Sequence, residues 1–323
     1  MLKDGNIFSE HFYQGEGMSS QFKKAVRRVA VVSLLLLSLG GVADATEGGG
    51  GAYPNGAEDF MVGALPPPGN YYLNYFNYYA ADKFKDNSGD TIDGFDLKVA
   101  ANVSRFIHVT DKQFLGGSWA LHAFIPLVYM DVELDQSFTG APFKMEDSRG
   151  SLGDIIIDPF ILGWHGANWH AVTGVDIYLP TGNYDKHRLA NLGRNYWTFE
   201  PLVAVTFLPG AGFDISAKLM YDINTENDAT DYKSGQEFHA DFAAGKKMGD
   251  FTAGMAGYYY KQITDDEVNG NEVSDFRGQV LAVGPALKYD YKNMSFSLKY
   301  LFETEVKNRP SGDNFWFKFL YAF

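Results

Sequence analysis

The last nine residues, Phe315-Trp316-Phe317-Lys318-Phe319-Leu320-Tyr321-Ala322-Phe323, decide the fold. In an extended strand successive side chains point to opposite faces. Phe315, Phe317, Phe319, Tyr321 and Phe323 therefore share one face, and Trp316, Lys318, Leu320 and Ala322 share the other. Five aromatic rings on the open face of a last strand would promote edge-to-edge aggregation in water. Against lipid chains the same face is the expected outer surface of a membrane strand.

The alternation recurs upstream. Met294, Phe296, Leu298, Tyr300 and Phe302 alternate with Ser295, Ser297, Lys299 and Glu303. Phe213, Ile215, Ala217, Leu219, Tyr221 and Ile223 alternate with Asp214, Ser216, Lys218, Met220, Asp222 and Asn224. Trp197, Phe199, Val203, Val205 and Phe207 oppose Tyr196, Thr198, Glu200 and Thr206. In the stretch 95–104 the expected outward set is Phe95, Leu97, Val99, Ala101 and Val103, with Asp96, Lys98, Ala100, Asn102 and Ser104 inward. Segments of about ten residues with apolar-out, polar-in alternation are the signature of an antiparallel transmembrane β-barrel.

Twelve strands are expected, at 69–80, 95–108, 117–133, 154–164, 168–180, 195–207, 213–224, 235–245, 251–264, 276–289, 294–306 and 314–323. The connections alternate between short turns and longer polar loops, as in barrels with periplasmic turns and outer loops. An even strand count leaves both ends of the barrel segment on the periplasmic side. Trp164, Trp169, Trp197 and Tyr221 fall near strand ends, where aromatic girdles sit. The stretch 117–133 contains Pro126 and loses its phase at Asp131 and Glu133, which points to a bulge. The strands at 69–80 and 251–264 carry aromatics on both faces, so either the lumen side is apolar there or the register is shifted. A soluble β-sandwich alternates too, with its apolar face turned to a shared core.

The N-terminus separates these alternatives. Lys23, Lys24, Arg27 and Arg28 precede an apolar run from Val29 to Leu39, and Ala43-Asp44-Ala45 follows as a small-x-small site. That order is a secretory leader, with Thr46 as the first mature residue. The apolar run is too short to span a bilayer. Residues 1–17 fit no part of a leader and are expected to be a start-site extension of a signal peptide covering 1–45. Removing 1–45 takes away a net charge of +1 and turns the chain's −13 into −14. No later apolar run reaches the length of a membrane helix. The 323 residues contain no cysteine, which excludes disulfide scaffolds, thiolate metal sites and cysteine nucleophiles. The acidic balance argues against a nucleic-acid partner. With 46% hydrophobic and 16% aromatic residues the chain is no disordered acidic tail. Export, alternation and a terminal aromatic strand together imply the bacterial outer membrane. The expected partners there are membrane lipid, lipopolysaccharide and the barrel assembly machinery.

Inside such a barrel at 69–323 the inward positions gather charge. The lumen candidates are Asp96, Lys98, Asp154, Asp158, Asp176, Glu200, Asp214, Lys218, Asp222, Glu237, His239, Asp241, Lys288, Lys299, Glu303 and Lys318. They form either a self-satisfying network of paired charges or the polar wall of a permeation path. Residues 46–68 have flexible Gly48 to Gly51, a turn-prone Asn55-Gly56 and a stiff Pro66-Pro67-Pro68 spacer. This segment either hangs as a periplasmic tail or folds back as a plug. Its apolar residues Tyr53, Phe60, Met61, Val62 and Leu65 need cover, which favours the plug.

Several stretches resemble one family. They are Tyr53-Pro54-Asn55-Gly56-Ala57-Glu58-Asp59-Phe60, Gly153-Asp154-Ile155-Ile156-Ile157-Asp158-Pro159-Phe160 and Leu179-Pro180-Thr181-Gly182-Asn183-Tyr184-Asp185. Asn191-Leu192-Gly193-Arg194-Asn195-Tyr196-Trp197-Thr198-Phe199-Glu200-Pro201 and Phe315-Trp316-Phe317-Lys318-Phe319 complete the set. Together they are similar to the meta-pathway phenol-degradation family of outer-membrane proteins. The resemblance implies a barrel channel for small hydrophobic or aromatic solutes and supplies no catalytic residues.

Other chemistry finds little support. His108, His122, His165, His170, His187 and His239 offer no pair on one strand face at metal-ligand spacing, so neither metal nor cofactor is expected. Glu237, His239 and Asp241 share one face and could serve a lipid hydrolase, although no serine is placed beside them. A purely structural outer-membrane protein is the other alternative. The acidic run Asp265-Asp266-Glu267 lacks the spacing of a calcium loop, and no phosphate-binding glycine loop is present.

Overall fold

The computed structural model describes residues 46–323, so the leader read at 1–45 lies outside the described residues. Twelve strands form the wall: β1 Gly69–Lys85, β2 Phe95–Phe114, β3 Gly117–Leu134, β4 Ile156–His165, β5 Trp169–Tyr178 and β6 Thr198–Gly210. The second half is β7 Phe213–Asn224, β8 Glu237–Met248, β9 Phe251–Gln262, β10 Gln279–Tyr291, β11 Met294–Lys307 and β12 Arg309–Ala322. Each strand pairs antiparallel with its chain neighbour, and β12 closes on β1 from Tyr71–Ala322 through Phe76–Phe317 to Lys85–Arg309. Closure leaves no unpaired sheet edge facing lipid, where backbone N–H and C=O groups would find no partner.

The alternation has the orientation of a membrane barrel. Val203, Val205 and Phe207 on β6 and Ile215, Leu219 and Ile223 on β7 are exposed on the outside. Their polar neighbours Glu200, Thr206, Asp214, Ser216 and Lys218 are buried. A soluble sandwich would reverse this. Short turns close one end, as at Ala211-Gly212, where both residues take positive φ. Such mirror-image turns match the twist of the strands they join. The other end carries the long connections, including a Met145–Leu152 strand that pairs with the upper part of β3. Four short strands there, Glu226–Asn227, Tyr232–Lys233, Asp266–Val268 and Asn271–Val273, make a separate small sheet.

Two sequence expectations are corrected. On β2, Phe95, Leu97, Val99 and Ala101 line an interior cavity, whereas Asp96 and Lys98 face outward and pair with each other at 2.8 Å. On β3, Asp131 and Glu133 keep phase with the outward Ile125, Leu127 and Tyr129 and stand in register beside Lys98 and Asp96. The phase never breaks at Asp131. The irregularity lies lower, where Ala120 and His122 face β4. Both errors have one cause. This end of the wall rises past the hydrocarbon, so polar side chains turn outward to water. The apolar ones pack inward on a small core of Phe84, Ile92, Phe95, Leu134 and Phe138. On β1 and β9 the inward rings Tyr75, Tyr258 and Tyr260 are buried, so the lumen side there is indeed aromatic.

Val203 lies halfway along β6 on the outer face. Val203→Arg is expected to destabilise the barrel by about 2–4 kcal/mol in urea titrations of vesicle-embedded protein. Lys98→Ala, beyond the hydrocarbon, is expected to leave the midpoint in place.

Candidate functional site

Residues 46–68 run through the barrel interior from the long-loop end to the short-turn end. At the loop end the Thr46 N–H donates to Asp266 Oδ2 at 3.2 Å and the Glu47 N–H to Ser234 Oγ at 3.1 Å. Asp266 also accepts from Tyr232 Oη, the Gly235 N–H and Gln262 Nε2. Burial nevertheless pushes its carboxyl up to about 6. The Glu47 carboxylate accepts from Tyr184 Oη, Thr230 Oγ1 and Asn227 Nδ2 at 3.0, 2.8 and 2.7 Å. Arg194 donates to the carbonyls of Glu47 and Gly51.

Midway, Tyr53 Oη donates to Asp241 Oδ2 at 2.6 Å, and Asp241 also accepts from the N–H groups of Gly56 and Glu58. The Asn55-Gly56 turn thus has its backbone donors satisfied by a strand carboxylate. The Tyr53 ring packs on His239 and lies under Lys218 Nζ.

The next two residues anchor the segment electrostatically. Glu58 takes Arg105 at 3.1 Å, Lys318 at 3.3 Å and the Tyr75 hydroxyl at 3.1 Å. Asp59 takes Lys318 at 2.8 Å and Lys299 at 3.4 Å. Lys299 Nζ also donates to the carbonyls of Ala57 and Glu58 at 3.0 and 2.6 Å. Two buried carboxylates therefore face three cations held by β2, β11 and β12. Buried charge persists only when paired in this way.

Below this point shape takes over. Phe60 lies over Gly245, where a Cβ would come within 2.5 Å of the ring. Gly63 touches the β6 backbone so closely that its own Cβ would fall 2.6 Å from Thr206 N, and its N–H donates to Thr206 Oγ1 at 3.0 Å. The Met61 N–H donates to Ser216 Oγ, and Leu65 packs beside Val109, Ala120 and Ile161. All four plug candidates, Tyr53, Phe60, Met61 and Leu65, thus contact the inner wall.

A second network runs along the wall. His122 contacts Asp176 at 2.7 Å through Nε2 and Arg105 at 2.9 Å through Nδ1. Lys218 Nζ stands between Asp176 at 3.5 Å and Glu200 at 3.4 Å, and Tyr178 Oη donates to Glu200 Oε2 at 2.7 Å. Glu303 accepts from Tyr79, Tyr258 and the Gly312 N–H. Asp158 accepts from the Phe160 N–H, Asp214 from Ser216 Oγ, and Lys288 pairs with Asp290.

Three of the lumen candidates lie elsewhere. Asp96 and Lys98 are outside, as described above. Asp154 sits in the loop before β4, where it accepts from the N–H groups of Gly182 and Arg194 and clasps the 179–194 loop. Sequence reasoning missed Arg105 and His122. The inverted register on β2 would have put the Arg105 guanidinium into lipid, and that cost was the available signal. The Glu237–His239–Asp241 face forms no hydrolytic relay. Asp241 is engaged by the segment, and among the described residues neither nitrogen of His239 has a hydrogen-bond partner, serine included.

The segment leaves space on both sides. A cavity of about 390 Å³ toward the loops is lined by Phe84, Phe95, Leu97, Val132, Phe138 and Trp316, among others. One of about 450 Å³ toward the short turns is lined by Phe60, Leu65, Ile161 and Leu202 as well as by Arg105 and Lys318.

Over residues 81–319 the chain matches the family described as "MetA-pathway of phenol degradation". The chain belongs to this family. Its fold is that of an outer membrane channel from Pseudomonas putida F1, with a TM-score of 0.69 and 16% identity over 81% of this chain and 98% of that one. The transport unit of the autotransporter AIDA-I from Escherichia coli is more distant, with a TM-score of 0.48 and 9% identity over 82% of this chain and 94% of that chain. No curated protein matches in sequence. The chain is an outer-membrane β-barrel.

Lys318 serves both Glu58 and Asp59. Lys318→Met is expected to cost about 3–5 kcal/mol, the penalty for stranding a buried charge. The segment is expected to become accessible to protease added to the folded barrel in detergent.

Proposed function

We propose that this barrel is a gated channel for small hydrophobic solutes, aromatic ones in particular, with residues 46–68 as its plug. The observation that carries this reading is the course of the segment, which crosses the lumen and separates two cavities. The loop-side cavity is rich in aromatic and aliphatic surface, where a single-ring solute would shed its hydration shell. The cavity beyond the segment combines charged groups with apolar ones such as Phe60, Leu65, Ile161 and Leu202, so it can receive the same solute once the segment moves.

Passage requires the segment to move, and its construction suits partial movement. The glycines at 49–51 sit between the Glu47 anchor and the Tyr53 anchor, and the prolines at 66–68 hold the other end beside β1. The ion pairs of Glu58 and Asp59 set the closed position. Membership of the family supports the aromatic solute class, and the fold shared with a channel supports transport. The outward aromatic face of β12, ending at the exposed Phe323, suits recognition by barrel assembly machinery.

The test is flux in proteoliposomes with a panel of aromatic and aliphatic solutes, comparing the mature chain with a variant lacking residues 46–65. The intact protein is expected to pass single-ring aromatics faster than sugars of similar size. The deletion is expected to raise conductance severalfold and to erase that preference. Equal conductance in the two proteins would remove the plug reading, and equal rates for all solutes would remove the aromatic one.

A further inference from the structure

On the inner wall beside the segment, Glu200 of β6, Asp222 of β7, and Glu237 and His239 of β8 come together. Asp222 and Glu237 are register partners. All four side chains are buried, with at most 1% of any of them exposed. One donor atom each from Glu200, Asp222 and His239 lie within 4.8 Å of one another. His239 Nε2 is 3.2 Å from Asp222 Oδ1 and 3.6 Å from Glu200 Oε2.

His239 Nε2 stands at ion-pair distance from Asp222 and Glu200, and Asp222 is in side-chain contact with both Glu200 and Glu237. Both oxygens of Asp222, both ring nitrogens of His239 and Glu237 Oε1 have no hydrogen-bond partner. Among the described residues no lysine or arginine nitrogen lies within 4 Å of Asp222 or Glu237, and Lys218 reaches only Glu200 at this cluster. Leaving one such buried polar atom unsatisfied costs on the order of 1–3 kcal/mol, and more when it is charged. Protons shared between the touching carboxyls offset part of this cost, and a bound cation would offset the rest.

We propose that Glu200, Asp222 and His239, with Glu237 beside them, form a site for a divalent transition-metal cation of the Zn²⁺ type. Metal–donor bonds of about 2.0–2.1 Å in a tetrahedron put neighbouring donors about 3.3 Å apart. The two measured spacings bracket that value. One imidazole with two carboxylates suits Zn²⁺, whereas Ca²⁺ takes roughly 6–8 oxygens at longer range. A dication would leave the four-residue site with one net negative charge, opposite Lys218.

A neighbouring cluster of similar composition, His122, Asp158 and Asp176, shows the contrast. There both histidine nitrogens are engaged, and Arg105 already supplies the positive charge. The metal site would also bear on the plug. Tyr53 packs on the His239 ring with centroids 4.8 Å apart, so a ligated imidazole would fix the surface on which the segment rests.

The experiment uses the full mature protein in detergent, stripped with EDTA. It is loaded with ZnCl₂ or CaCl₂ both after folding and during refolding, and bound metal is read by mass spectrometry and calorimetry. About one equivalent of zinc per barrel is expected. Asp222→Asn and His239→Gln are each expected to weaken binding at least about tenfold, in line with losses at tuned metal sites. Both variants are checked for folding by the mobility of the unheated barrel on gels, and either one suffices. Wild-type protein that retains less than about a tenth of an equivalent under both regimes would overturn the site. So would folded variants that bind like wild type. Calcium binding as tight as zinc binding would overturn the metal class. The measurement is independent of transport, so its failure leaves the channel reading standing.

Discussion

Lipid offers the backbone no hydrogen-bond partner, and the rest of this molecule follows from that. It forces β12 onto β1, because any open edge would leave a row of unsatisfied N–H and C=O groups in hydrocarbon. Closure fixes which face of every strand meets lipid. The two-residue repeat then sends Glu200, Lys218, Asp222, His239 and Lys318 inward. Once inside, these groups face the opposite problem. They are far from bulk water and must find partners from one another, from water or from something inserted. The N-terminal segment is such an insertion. Its Glu58 and Asp59 neutralise cations that the wall cannot pair by itself, and its backbone donors satisfy Asp241. Wall and segment are therefore electrostatic complements.

The fold was readable from sequence to the extent that lipid contact enforces alternation. Strands β6, β7, β11 and β12 carry the repeat through their central stretches, where the outer face meets lipid, and their faces match the expected ones; β6 and β11 shift register only toward their ends. Strands β2 and β3 outgrow the bilayer. Above it the rule reverses, and the same two-residue period then points to the wrong face. The period does not reveal where a strand leaves the hydrocarbon. The outward charges Asp96, Lys98, Asp131 and Glu133, adjacent across two strands, mark that level, but only once their pairing is known. The inverted face continues down β2 to Arg105, at membrane depth, where the outward Asn102 is satisfied by Asn74 rather than by water.

Site geometry was less accessible for a related reason. Chemistry-bearing groups here come together across strands, and sequence spacing describes only one strand at a time. Glu237, His239 and Asp241 share a face at spacing two, which suggested a common role. Across the sheet their partners differ. Asp241 belongs to the segment through Tyr53, whereas Glu237 and His239 converge on Asp222 and Glu200. Pairing register, which the repeat does not contain, made that division.

The same charges bear on how the lumen could open. Withdrawing Glu58 and Asp59 would leave Arg105, Lys299 and Lys318 facing an interior that is costly for bare cations while it stays dry. Water entering the vacated path would solvate them and reduce that cost, so movement of the segment and hydration of the lumen should occur together. The shape contacts point the same way. Phe60 over Gly245 and Gly63 against β6 are close fits that lose their packing at the first displacement. Close packing makes the observed arrangement discrete, and in the proposed opening the cations that anchor it would line the path. On the proposed gating the segment would act as a two-position element.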